Sequence, residues 1–277
     1  MSRLLVRPED RDGFGRLLHV TPRSAGWRYV GFEVFRLAAG EAFEGGDQSR
    51  EACLVVLCGT VDIAVGGEMF AAVGSRVDVF EDAPPGAVYA PAGAAYHATA
   101  RSPAEIAVCT APGAAGRAPR RISPGDMIRE ERGSGTNARR VRDILPAREA
   151  ADSLLVVEVV TPGGHWSSYP PHKHDTAAGE AETALEEIYY HRITPVQGFA
   201  FQRVYTDDRS LDETLTIEDG DLVLVPRGYH PVAAAHGYDL YYLNVMAGEQ
   251  RRWIFRNDPA HDWIAPKGAP SVELARS

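Results

Sequence analysis

The stretch SSYPPHKHD, residues 167–175, sets two histidines one residue apart behind a pair of prolines. In an extended strand side chains alternate between faces, so His172 and His174 point one way and Lys173 the other, which makes a chelating pair. Pro170 and Pro171 cannot donate to an inner ladder and so mark the start of the strand. A histidine pair alone is more often incidental than metal-binding, and the reading depends on further donors. These follow as Glu186 and Glu187, which open LEEIYYHRI, and as His230 in VPRGYHPV, with Glu182 a further carboxylate between. Three histidines and a glutamate suit zinc, iron, manganese or nickel. Alternation along the strand puts Tyr189 and His191 on the face of Glu187, within reach of a metal-bound substrate. The plainer alternative for His191 is a hydrogen-bonded core histidine.

Such donors need a rigid frame, and the chain offers one of strands. Short β-rich runs recur between Gly, Pro and Asp punctuation, among them YVGFEVFRL, ACLVVLCG, LLVVEVV, FAFQRVYT and YDLYYLNVM, the spacing of an all-β sandwich or barrel. Helical periodicity is scarce, with candidates over residues 137–145 (NARRVRDIL) and 179–187 (GEAETALEE). An internal echo sets the domain count. PGAVYAPAGAAYHATA is matched by DGDLVLVPRGYHPVAA, and His97 corresponds to His230 give or take one residue. Two copies of one β-domain are implied, spanning 1–120 and 121–277, with the Gly-, Pro- and Arg-rich APGAAGRAPRRISPGD as the linker.

The formal charge of −9, with arginines scattered among the acids, excludes a nucleic-acid binder, which needs a basic face. The N-terminal sequence has no apolar run long enough for a signal peptide, and no stretch approaches a membrane span, so a soluble cytoplasmic protein is expected. Cys53, Cys58 and Cys109 lie in apolar surroundings and read as buried free thiols.

PPHKHD, EEIYYHR and PRGYHPV resemble cupin motifs, and SSYPPHKHD, LEEIYYHRI, FAFQRVYTDDRSLDE, VPRGYHPVAAAHGYDLYYLNVMAG and RRWIFRNDPAHDW together resemble the 5-deoxy-glucuronate isomerase family of inositol catabolism. The likeness covers most of residues 150–265 and reaches weakly into the first half. It implies two tandem jelly-roll barrels, the second binding one divalent metal, zinc before manganese, iron or nickel, through His172, His174, Glu187 and His230. The first barrel, with Glu51 and His97 but no histidine pair, is expected to hold none. The implied reaction is an aldose-to-ketose isomerisation of a sugar acid, 5-deoxy-D-glucuronate to 5-dehydro-2-deoxy-D-gluconate. It requires a Lewis acid, a base and a grip on the carboxylate. His191 and Tyr189 are the expected proton-handling groups. Arg203 is the expected carboxylate clamp, its planar fork preferred over those of Arg192 and Arg227, with Tyr205 beside it, while Tyr242 and Asn244 would orient sugar hydroxyls. A small sugar acid is the expected partner, without nucleic acid or membrane, and a homo-oligomer is compatible. A metal-dependent dioxygenase and a non-catalytic sugar-binding bicupin are the rival readings.

Overall fold

A computed structural model describes residues 2–265 and the backbone of 272–274. Strands dominate, and among the described residues the only α-helix is the short turn Pro22–Ala25. One large antiparallel sheet runs in the order Arg120–Ile122, Gly86–Ala90, Arg50–Cys58, Ala104–Pro112, Gly31–Leu37, Arg16–Val20. A second runs Leu5–Val6, Leu222–Val225, Leu185–Thr194, Asp239–Gly248, Leu155–Thr161, Arg139–Leu145, Arg129–Arg132. Each closes over a four-stranded sheet to make a barrel. In the first barrel the partner sheet contains Ala42–Gly45, Tyr96–Ala100, Val61–Val65 and Glu68–Val73; in the second it contains Trp166–Ser167, Val232–Ala234, Ala200–Tyr205 and Asp212–Ile217.

Three apolar layers follow from this arrangement. Leu54, Ile63 and Ile106 fill the first barrel, Val157, Val204 and Met246 the second, and Phe32, Val55, Tyr190 and Leu243 meet between the two large sheets. The inner strands of the large sheets are therefore buried on both faces, which is why ACLVVLC reads as an unbroken apolar run and LLVVEVV as one broken only by Glu158.

Carboxylates tie the barrels together at equivalent points. Glu51 accepts the backbone N–H groups of Asp152, Ser153 and Leu154 and the hydroxyl of Tyr89. Glu186 accepts those of Arg28, Tyr29 and Val30 in the opposite direction. Across the same interface the first barrel's Arg76 forks onto Glu158 at 3.1 and 2.9 Å, and the second barrel's Arg192 reaches Glu105 at 2.7 Å.

Both expected helices are absent. Arg139–Leu145 is a strand between Arg129–Arg132 and Leu155–Thr161, with a bulge between Asp143 and Leu145. The bulge buries Ile144 and Leu145 together, so Val141, Ile144 and Leu145 acquire the i, i+3, i+4 spacing of a helix face while lying in a sheet. The 179–187 segment is a turn running into the Leu185–Thr194 strand.

Candidate metal centre

The second barrel positions its donors on three segments. His172 and Lys173 pair with Asn257 and Arg256 in a short strand, and His174 follows it. Glu187 lies on Leu185–Thr194, opposite Val225 on one side and Met246 on the other. His230 precedes Val232–Ala234, after the turn at Gly228. That turn needs glycine, since Gly228 has φ of 89° and an added Cβ would run into the Tyr205 backbone.

His174, Glu187 and His230 converge, all buried, with donor atoms within 4.8 Å of one another. His174 Nε2 is 3.0 Å and His230 Nε2 3.1 Å from the same oxygen, Glu187 Oε2. His230 Nδ1 donates to the Gly228 carbonyl at 2.8 Å, which leaves Nε2 as a bare lone pair aimed at a carboxylate. Two electron-rich atoms held that way repel unless a metal ion or a proton lies between them. Donors about 2.0–2.1 Å from a tetrahedral metal stand about 3.3 Å apart, close to the spacing seen, so the residues present fit a metal. His230 Nε2 and His174 Nδ1 also have no hydrogen-bond partner. Burial depresses the affinity of His230 for a proton, against the pull of Glu187. At His174 burial acts the same way but is outweighed by the hydrogen bond and charge of Glu187, so its pKa is raised. His172 lies beside the trio, its ring 4.9 Å from that of His230 and 4.4 Å from that of Phe255.

The rival carboxylates have other work. Glu182 folds the loop after His174 by accepting the N–H groups of Asp175 and Thr176, and Glu186 holds the first barrel. In the first barrel Ala52 pairs with Ala90, next to Pro91, as Glu187 pairs with Val225, next to Pro226. Glu51 is thus the counterpart of Glu186, Ala52 stands where Glu187 would be, and His97 faces solvent.

Beside the trio, Asn244 Nδ2 donates to Glu187 Oε1 at 2.6 Å, so Asn244 orients a donor instead of being free for a sugar hydroxyl. Tyr189 shares a 2.8 Å hydrogen bond with Ser168, and its ring lies 5.7 Å from that of His230 and 4.9 Å from that of Tyr242. His191 is buried one pleat further along the same face; its Nε2 donates to Gln202 Oε1 at 3.2 Å, its Nδ1 has no partner, and burial lowers its pKa to about 3. Gln202 is fixed in turn by its Nε2, which donates a hydrogen bond to the His230 carbonyl at 3.4 Å. Gln202 and Ser168 escaped sequence reasoning, because amides and hydroxyls carry no spacing signature.

The expected carboxylate clamp is not at the centre. Gln202 and Val204 face the barrel interior, so Arg203 faces out, forked onto Asp212 at 2.8 and 2.7 Å and lying over the ring of Tyr205. Tyr205 is spoken for by Asp258 at 2.7 Å. Arg192 is committed to Glu105 and Asp219 at the barrel interface, and Arg227 is an exposed residue bonded to Ser210. Arg139, missed in sequence, shares the inward face of Val141, and its charge bears on both His172 and Tyr242.

Comparison with known proteins agrees with this picture. The KduI/IolB family profile matches residues 4–264. A 5-deoxy-glucuronate isomerase of Geobacillus kaustophilus (strain HTA426) is 53% identical over 264 residues, 95% of this chain and 96% of that one. One from Bacillus subtilis (strain 168) is 45% identical over 268 residues, 95% and 99% of the two chains. The crystal structure of an IolB-like protein from Salmonella typhimurium LT2 superposes with a TM-score of 0.91 at 49% identity, covering 94% of this chain and 98% of that one. An oxalate decarboxylase of Lactobacillus farciminis, 13% identical, shares the bicupin fold at a TM-score of 0.69 over 96% of this chain and 91% of its own. This chain belongs to the KduI/IolB family.

Proposed function

We propose that this chain is a 5-deoxy-glucuronate isomerase, a metal-dependent enzyme that moves the carbonyl of a sugar acid from an aldehyde carbon to its neighbour. The observation that carries the site assignment is the convergence of His174 Nε2 and His230 Nε2 on one oxygen of Glu187. His174, Glu187 and His230 would hold the ion, with His172 as the fourth donor. Zinc suits this borderline donor set, and manganese, iron and nickel are compatible. A bound divalent ion supplies Lewis acidity toward the carbonyl and its neighbouring hydroxyl.

The remaining steps belong to the chain. Tyr189 and Tyr242 line the wall beside the donors, their hydroxyls held by Ser168 and Ser167, so their rings shape the space the substrate enters. Burial keeps His191 neutral, and its Nδ1 lone pair, left open by the Nε2 hydrogen bond to Gln202, takes the proton from the hydroxyl-bearing carbon. Holding it only transiently because of its lowered pKa, His191 returns it to the former aldehyde carbon while the hydroxyl proton passes between the two oxygens. The positive charge of Arg139, which bears on His172 and Tyr242, attracts the substrate's carboxylate. Because the donors and His191 are buried, water is kept from the exchanging proton. The test is to incubate the metal-loaded protein with 5-deoxy-glucuronate and follow the aldehyde proton by NMR while monitoring dissolved oxygen. Loss of the aldehyde with appearance of a ketose, without oxygen uptake, is expected. Oxygen consumption matched to substrate loss would make the protein an oxygenase, and no conversion would leave it a binding protein.

A further inference from the structure

The first barrel keeps an open cleft where the second is filled with donors. With Ala52 in place of Glu187, and Ala90 and Thr110 beside it, a cavity of about 380 Å³ remains, in the size range of small-molecule sites. One side chain in it is out of keeping with the rest of the molecule. The buried tyrosines Tyr89, Tyr189, Tyr190, Tyr205, Tyr229 and Tyr241 all spend their hydroxyls on a protein partner. Tyr242 has Ser167. Tyr96 is only 7% exposed and lines the cavity, yet its hydroxyl has no partner among the described residues. Gly45 makes room for the end of the Tyr96 ring, which lies where a Cβ would be. The ring is buried while the hydroxyl opens into the cavity, where it is available to a hydrogen-bonding group supplied from outside the chain.

We propose that this cleft is a second binding site, taking a neutral polyhydroxylated compound of monosaccharide size. Glu33 and Asp47 both bear on Tyr96, and together with burial they hold its phenol protonated. Arg16 pairs with Glu33 at 3.0 Å, and Arg50 lies close to Asp47. Arg50 is committed besides to the Tyr29 carbonyl and to Thr110. Arg16 is shared with Asp12 at 3.3 Å, so the cleft carries no positive excess to attract an anion, and it offers no uncommitted arginine fork for a carboxylate ligand. Carboxylate oxygens with spare lone pairs and a phenol able to donate or accept are complementary to hydroxyl groups, while Ala52, Ala90 and Ala94 give a C–H face something to pack on.

The experiment is titration calorimetry of the metal-loaded full-length protein with D-glucose and D-glucitol as probes, each repeated with Tyr96→Phe and Ala94→Phe. Saturable binding of at least one probe is expected, weakened roughly three- to tenfold in Tyr96→Phe, which removes one hydrogen bond, and lost in Ala94→Phe, which fills the cleft. Turnover of the sugar acid should be unchanged in both variants, so the result does not depend on the chemistry assigned to the second barrel. D-Glucuronate should show no Tyr96-dependent binding. No binding of either neutral probe, or binding indifferent to both substitutions, would overturn the proposal.

Discussion

Among single residues, the convergence of His174, Glu187 and His230 was legible because a histidine pair, a glutamate and a third histidine recur at strand spacing in one half of the chain, whereas the residues around them were not. Arg203 illustrates why. In FAFQRVYT the apolar residues do not reveal which face is inner, and the aromatic Phe201 suggests a buried face. The barrel instead buries Gln202 and leaves Phe201 42% exposed, so Arg203 turns outward with it. Since its partner Asp212 is also on the surface, Arg203→Met should change kcat/KM by less than about threefold. Arg139→Met should lower it by roughly one to two decades with metal content intact, and a substrate analogue lacking the carboxylate should not distinguish that variant from wild type. Asn244→Ala should weaken metal binding about 10- to 100-fold, read by competition with a chelator, because outer groups set the orientation of the donors. His191 gives a pH signature. Its folded pKa, about 3, lies below the usual histidine value near 6.5, so between these limits the unfolded chain binds a proton that the folded chain does not, and stability falls as the pH drops. The contribution approaches about 1.4 kcal/mol per pH unit, and denaturant unfolding of His191→Gln should show a correspondingly shallower acid slope.

The elements were legible where burial on both faces gave unbroken apolar runs, and were misread where a bulge imitated a helix at Val141, Ile144 and Leu145. The joints between them were hidden. Nothing in LEEIYYHRI distinguishes the glutamate that braces the first barrel from the one that faces the metal centre; only the strand's pleat assigns Glu186 outward and Glu187 inward. Glu51 does the same bracing on the other side. Its replacement by alanine leaves three N–H groups without acceptors, and thermal unfolding should show a loss of about 3 kcal/mol, roughly 6–10 °C, with metal content unchanged. A drop below about 1 kcal/mol would mean that water replaces the carboxylate freely.

For the molecule as a whole, the internal echo was the decisive signal for two barrels, but not for how they share strands. Leu5–Val6 crosses over to pair with Leu222–Val225, and so the first residues of the chain complete the sheet that carries Glu187. We propose that residues 1–120 act as a scaffold for 121–277. Deleting them would strip that edge strand and expose the apolar face bearing Tyr190, Tyr241 and Leu243, so the remaining fragment should aggregate. Isomerisation itself is proposed to depend on a divalent ion that the trio in the second barrel would hold. The decisive measurement is to strip the protein with a chelator, verify its metal content, and titrate a divalent ion back while measuring conversion of 5-deoxy-glucuronate. Activity should be absent without metal and rise linearly to a plateau at one ion per chain. Full activity in protein shown to be free of metal would mean that the trio is not the seat of the chemistry.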